Sequence, residues 1–392
     1  MPEESALAER FSFIEGTTYG ISMLLCEKTA LVVARTSGVS SALRWTARGR
    51  EALAGLTDAD AERQDAALLA TRAPLRYRQG RYAEAAATAM EAIAVAQRCG
   101  ARDVLARALY LLDAADVARG QYGGEPWAEQ ALAIWKELGN LSWQAQALNV
   151  LGNRSYFEGR WDDALGYYRQ AEEAFGRAGD RWNAAITACN TAEILSNQGR
   201  YDEADDAARP AERVLRASGA PSEMAFVATV LGRTAARRGQ AEEALRLLET
   251  ARADYLKAGE QTGVVATEIS IAEALLYAGE AEEALTQADD VAASSHVRLG
   301  DASASTLARV RGYALALVGR AVSAQEAIDE SLRAARQRGD RYDEALSTDA
   351  LIRLAEIRGQ SAEPDLVASR DELFRALGIR AGPAPWQDAF SS

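Results

Sequence analysis

The sequence predicts an all-α fold, a solenoid of paired antiparallel helices, and three observations predict it. Sixteen of the 30 glycines fall on one grid, from Gly80 to Gly378, each 19 to 21 residues after the last. Between grid points the apolar residues recur at three- and four-residue steps. After Gly159, for example, Trp161, Ala164, Leu165, Tyr168, Ala171 and Phe175 form a single stripe. The phrase at every second glycine also repeats: "GRYAEA" at 80–85, "GRYDEA" at 199–204, "GQAEEA" at 239–244 and "GEAEEA" at 279–284. Two kinds of glycine therefore alternate, and the true period is 40 residues, or two helices.

Glycine just past a helix end takes the left-handed conformation without a Cβ penalty, so it stops helices. A stop every 20 residues implies helices of roughly 15 to 17 residues, each about 24 Å long. Acidic pairs such as Asp162–Asp163, Glu242–Glu243 and Glu282–Glu283 open the second helix of each pair, where they complement the positive end of the helix dipole. Small residues recur at 40 on both helices: Ala164, Ala204, Ala244, Ala284 and Ala324 on one, Gly152, Ala192, Gly232, Ala272 and Gly312 on the other. Such a pairing lets two axes approach closely.

Taken in order, residues 1–19 read as an irregular N-terminal segment, 20–378 as the solenoid of about eight to nine helix pairs, and 379–392 as a coil tail. The repeats begin near Cys26 with a degenerate unit around Gly38. In "RGQYGGEPWAEQAL" Pro126 is placed at the first position of its helix, where its missing N–H is harmless. Pro74 and Pro210 fall inside helices and are expected to kink them.

Bulk properties narrow the function classes. A chain of 392 residues exceeds one ordinary compact core, a limit that a repeat array escapes because each unit packs only on its neighbours. The net charge of −13 argues against nucleic acid and anionic membrane partners. No apolar run reaches the length of a membrane span, and the acidic N-terminus lacks a signal-peptide core. Cys26, Cys99 and Cys189 form no CxxC pair, which suits reduced thiols and a cytoplasmic protein.

The stretch "LGNRSYFEGRWDDALGYYRQAEEAF" resembles a tetratricopeptide repeat (TPR). Leu151-Gly152, Tyr156, Gly159, Trp161, Ala164, Tyr168 and Ala171 fill that family's pattern, with a 40-residue period in place of the usual 34 or so. The resemblance implies a right-handed superhelix whose first helices line a concave groove. Residues from about 40 to 385 are further similar to the C-terminal TPR region of bacterial proteins that join a class III adenylate/guanylate cyclase, an AAA-type STAND ATPase and a TPR tail. "CNTAEILSNQGR", "RVRGYALALVGR" and "LGIRAGPAP" carry that similarity. The catalytic parts are missing. No Gly-Lys pair exists for a phosphate loop, and "IEGTT" at 14–18 follows Phe13 where a cyclase needs a metal-binding aspartate. The expectation is therefore no enzyme, no cofactor and no metal. The single histidine, His296, has no catalytic partner in view.

Candidate groove residues follow from the implied concave face, taken at steps of three and four on successive first helices. They are Asn149, Asn153 and Tyr156, then Asn190, Glu193 and Asn197, then Arg233 and Arg237, then Glu273, then Tyr313, with Tyr277, Arg309, Arg353 and Glu356 on the same faces. Asn153, Asn190 and Arg233 match three positions of the carboxylate clamp of chaperone-binding TPR domains, but Asn149 and Thr229 replace its lysines and Glu193 adds a negative charge. Arg233 and Arg237 suit an anionic partner; an internal ion pair of Arg233 with Glu193 or Glu273 would satisfy the charge instead. The expected function is a non-catalytic regulatory module that binds a peptide or partner domain, linked to bacterial signalling. Self-association and contact with a cyclase or ATPase module are further expected partners. The alternative is a small-molecule-sensing domain controlling a nucleotide cyclase or STAND-type effector.

Overall fold

The computed structural model describes residues 39–219, 221–294, 302–380 and 382. These contain seventeen α-helices and no strand. They are α1 (Val39–Leu53), α2 (Ala59–Arg78), α3 (Tyr82–Cys99), α4 (Arg102–Ala118), α5 (Trp127–Glu137), α6 (Leu141–Phe157), α7 (Trp161–Ala178), α8 (Arg181–Asn197) and α9 (Tyr201–Ser218). There follow α10 (Pro221–Arg237), α11 (Ala241–Ala258), α12 (Gln261–Tyr277), α13 (Ala281–Ala293), α14 (Ala302–Leu317), α15 (Ala321–Arg338), α16 (Arg341–Ile357) and α17 (Pro364–Leu377). The "IEGTT" phrase, Cys26, Gly300, His296 and the last ten residues lie outside the described residues.

The glycine grid does what its spacing requires. Fifteen of its sixteen members are described, and all fifteen have φ between +67° and +81°. Gly179 is typical: at φ +74° it ends α7, and its N–H and that of Asp180 bond back to the carbonyls of Gly176 and Phe175. Most helices are 17 or 18 residues long, slightly longer than the spacing alone suggests, because the left-handed glycine leaves only two or three residues between helices. Pro126 caps α5 from outside, one residue before the position expected from the sequence. Pro74 and Pro210 sit inside α2 and α9, and neither ends its helix.

The chain divides into two compact units within α6, between Leu151 and Gly152. The first unit packs largely on alanine. Ala85, Ala89, Ala92 and Ala96 of α3 are buried, as are Ala66, Ala70 and Ala73 of α2, so these two helices meet through small side chains. At its far end Trp135 stacks on Trp143, with ring centroids 5.4 Å apart. In the second unit the helix pairs cross at the small residues picked out by the 40-residue period. A Cβ on Gly152 would lie 2.4 Å from the Tyr168 ring. One on Gly232 would lie 2.8 Å from Leu248 and 3.3 Å from the Ala244 carbonyl, and one on Gly312 2.5 Å from Ile328. Tyr168, Leu248 and Ile328 are fully buried, so none can move aside cheaply.

One apolar cluster of the second unit breaks the nearest-neighbour rule of a linear repeat array. Trp161, Ala164 and Tyr168 of α7 and Ile194 of α8 are buried together with Ala345 of α16, Leu373 and Leu377 of α17, and Ile379. The last helices of this unit thus pack back on its first ones.

Candidate functional site

The first helices of the pairs form an inner layer in the second unit. Besides its own pair mate, α10 packs on α8 and α12, and α14 packs on α12 and α16. A helix packed on several sides is buried around much of its circumference, which is why α12 buries Val264, Thr267, Ile269, Ile271, Glu273 and Leu276 on no single stripe. Stacked first helices bring their four-residue steps together, and the polar residues on them meet.

Asn197, the last residue of α8, is the hub. Its side-chain oxygen accepts from Arg237 Nη1 at 2.8 Å, from Arg233 Nη2 at 3.2 Å and from the Tyr342 hydroxyl at 3.2 Å. Its amide nitrogen donates to the Tyr156 hydroxyl at 3.4 Å. Arg233 Nη1 also donates to Glu193 at 3.2 Å. Arg237 faces Glu273 at 3.9 Å, an ion pair too long for a hydrogen bond. The two halves of this network differ in exposure. Arg233 and Glu193 keep 23% and 25% of their side-chain surface, whereas Arg237 and Glu273 keep 3% and 8%. Burial works against the charge of Arg237, and the facing carboxylate of Glu273 opposes that, so the guanidinium stays charged.

A second buried ion pair continues the network. Arg309 of α14 donates to Asp343 of α16 at 2.9 Å, and Ser305 and Thr306 donate to the same carboxylate. Burial opposes the charge of Arg309 as well, and Asp343 restores it. Beyond it the buried Asp349 accepts from Arg353 at 2.7 Å and from Arg370 of α17 at 2.6 Å. Burial raises the hydroxyl pKa of Tyr156, Tyr277, Tyr313 and Tyr342, so all four are neutral beside these charges. Among the described residues, Arg237 Nε, Tyr277 Oη, and Arg309 Nε and Nη1 are buried in this region without a hydrogen-bond partner.

The closure of the unit holds this arrangement. Tyr342 packs against Trp161, ring centroids 5.0 Å apart, and Trp161 stacks on Tyr156 at 5.8 Å. Gln198 joins α8 to the C-terminal end twice: its side-chain nitrogen donates to the Leu377 carbonyl at 2.9 Å, and its carbonyl accepts from Arg380 N–H at 2.9 Å. Gly378 leaves room for that side chain, since a Cβ there would lie 2.8 Å from Gln198 Nε2.

Of the groove residues expected from sequence, Tyr156, Glu193, Asn197, Arg233, Arg237 and Glu273 come together. Arg233 makes the internal pair with Glu193 that the sequence left as one of two options. Asn153 instead accepts from Tyr168 at 2.7 Å within its own helix pair, and Asn190 is half-buried on α8. Tyr313 is 1% exposed and packs in the apolar core of α12 to α16. Asn149 lies in the first unit. Sequence reasoning missed Tyr342, Asp343 and Gln198. Tyr342 and Asp343 look like an ordinary helix start, and their partners are set by a long-range contact that no period announces. Among the described residues no group of three or more His, Cys, Asp or Glu is placed to hold a metal, and no helix is long and apolar enough to cross a membrane.

No protein-family model matches the sequence, and no curated protein matches it. Solved structures do match. A Rap protein complexed with competence and sporulation factor superposes with a TM-score of 0.63 at 14% identity, over 81% of this chain and 88% of that one. Aspartyl phosphate phosphatase F from Bacillus subtilis gives 0.55 at 12% identity, over 93% and 97%. NprR in complex with its cognate peptide NprX gives 0.53 at 14% identity, over 72% and 83%. At such identities the likeness is one of fold: the chain is an all-α, TPR-like helical-repeat solenoid.

Proposed function

We propose that the protein is a non-catalytic regulatory module that binds a peptide or a partner domain on the inner face of its second unit. The observation that carries this reading is the connected polar network of Tyr156, Glu193, Asn197, Arg233, Arg237 and Glu273, drawn from successive first helices. An array that only needed to stack would be served by apolar or alanine side chains there. Two of the proteins of similar fold are in complex with competence and sporulation factor or with a cognate peptide, which supports a peptide as occupant and a place in bacterial signalling. The resemblance of residues 40 to 385 to the tail of cyclase–ATPase–TPR proteins supports a nucleotide cyclase or STAND-type ATPase as the regulated neighbour. A sensor of a small molecule is the second reading, favoured by the depth at which Arg237 and Glu273 lie.

The test is the double variant Arg233→Ala, Arg237→Ala, assayed by thermal melting and by binding to a hexapeptide library. The expected outcome is that the wild type selects peptides and the variant folds but loses them, with added salt weakening the wild type in the same direction. A variant that melts lower while selecting the same peptides would show the two arginines to be staples between repeats, and the reading would fall.

A further inference from the structure

We infer that α17 is a displaceable clasp, and that its seat on α7, α8 and α16 is an interaction surface for an amphipathic helix of a partner protein. The inference does not rest on the inner-face binding proposed above.

Three observations make α17 the movable part of the closure. The other fully described connections between helices of the second unit are two or three residues long, as at 158–160 and 339–340. The connection ahead of α17, 358–363, is six residues long and exposed at every one but Ala362. The helix is also thinly anchored. Only Leu373 and Leu377 of its 14 residues are buried, against six of 18 in α15. Few buried contacts mark the elements that open first. Finally, its departure strands no charge. Arg370 donates to the buried Asp349 at 2.6 Å, but Arg353, on the same helix as Asp349, holds that carboxylate at 2.7 Å and would stay. The start of α16 differs, since moving it would take Asp343 from Arg309 and leave a buried guanidinium unpaired.

What α17 covers is suited to a helix. Leu373, Leu377 and the following Ile379 are buried with Trp161 and Tyr168 of α7, Ile194 of α8 and Ala345 of α16. Leu366 packs against the core of α12 to α16. Leu366, Leu373 and Leu377 stand at steps of seven and four, the stripe by which an amphipathic helix lies in a groove. Arg370 lies on the same stripe and meets Asp349. A partner helix with apolar residues at i, i+7 and i+11 and an arginine at i+4 would satisfy the seat in the same way. Gln198, whose side chain donates to the Leu377 carbonyl at 2.9 Å, would hold the C-terminal end of that helix. The tethered α17 competes at an effective concentration on the order of millimolar, so the clasp sets an affinity threshold that a partner must exceed.

The test uses the full-length protein and, as probe, a fluorescent peptide of residues 363–380. Wild type is compared with the double variant Leu373→Asp, Leu377→Asp, which empties the seat and leaves its lining on α7, α8 and α16 untouched. Binding is read by anisotropy and folding by thermal melts. The variant should fold and bind the peptide at least about tenfold more tightly than the wild type, where the tethered helix competes. A peptide carrying the same two changes should bind neither protein. In the wild type, amide hydrogen exchange should be roughly tenfold or more faster in α17 than in α15. Exchange in α17 as slow as in α15, or a variant that no longer folds, would overturn the inference, because a helix that the fold cannot spare is no clasp. Equal binding by wild type and variant, or binding by neither, would overturn it as well. A wild type that is dimeric by light scattering, and monomeric once the two leucines are changed, would assign the seat to α17 of a second copy and overturn the partner helix.

Discussion

Single residues set the tolerances of this molecule. Gly232 meets Leu248 and the Ala244 carbonyl so closely that even a methyl group would clash. Gly232→Leu should therefore overpack the α10–α11 crossing and lower stability by about 1–3 kcal/mol, read from thermal melts; a neutral result would mean that the helices can slide apart. Asp343 is the other sensitive position. It is 4% exposed and is the only close counter-charge of Arg309 among the described residues. Asp343→Asn keeps the shape but leaves a buried guanidinium unpaired, which should destabilise by about 3–5 kcal/mol in urea unfolding. Cys189 is a residue that does nothing of the kind: it is fully buried, its thiol is pushed up to about 12 by burial, then by Glu193 and Glu212, and it should resist alkylation in the folded state.

At the level of elements, the start of α16 carries a pH dependence. Asp340 caps this helix by accepting the Asp343 N–H at 3.0 Å. Burial, and next the charge of Asp343, raise its pKa from 3.8 to about 6, against the opposing pull of those backbone bonds and of Arg338. A group whose folded pKa is raised contributes stability below its unfolded pKa and loses it as pH rises through the folded one. Ionising Asp340 therefore destabilises the fold progressively between pH 4 and 6 and by a constant amount above that. Asp340→Asn retains a capping oxygen and abolishes the charge. It should raise the stability at pH 8 by something on the order of 1–3 kcal/mol and make little difference at pH 4, as measured by melting at both values. A stabilisation independent of pH would mean that the charge is not the cause.

At the level of the whole molecule, the consequential feature is that the second unit is not a linear stack. In a one-dimensional array, removing the last helix affects its neighbour alone. Here α17 and Ile379 share a core with Trp161, Tyr168 and Ile194. Deleting residues 360–392 should raise hydrogen exchange in α7 and α8 as well as in α16, nearly two hundred residues away in sequence. Change confined to α16 would show the closure to be energetically idle. The full chain should also make no cyclic nucleotide and hydrolyse no ATP. Metal-dependent turnover above background would remove the regulatory reading altogether.

The sequence by itself determined the helix count per period, the helix ends and the crossings, because each depends on local chemistry: a left-handed glycine, an acidic first turn, a small residue every 40. It also brought out Glu193, Asn197, Arg233, Arg237 and Glu273, since residues at four-residue steps on stacked helices must share a face. It could not tell that Asn153 turns to Tyr168, that Tyr313 is sealed in the core, or that Arg233 chooses Glu193 over Glu273. Those outcomes depend on angles between helices, which a repeat fixes only approximately and which accumulate from one pair to the next. Tyr342, Asp343 and Gln198 were decided by the tertiary structure alone. Their partners lie across the closure of the second unit, and no local pattern encodes a contact made only when successive small rotations bring the last helices back to the first.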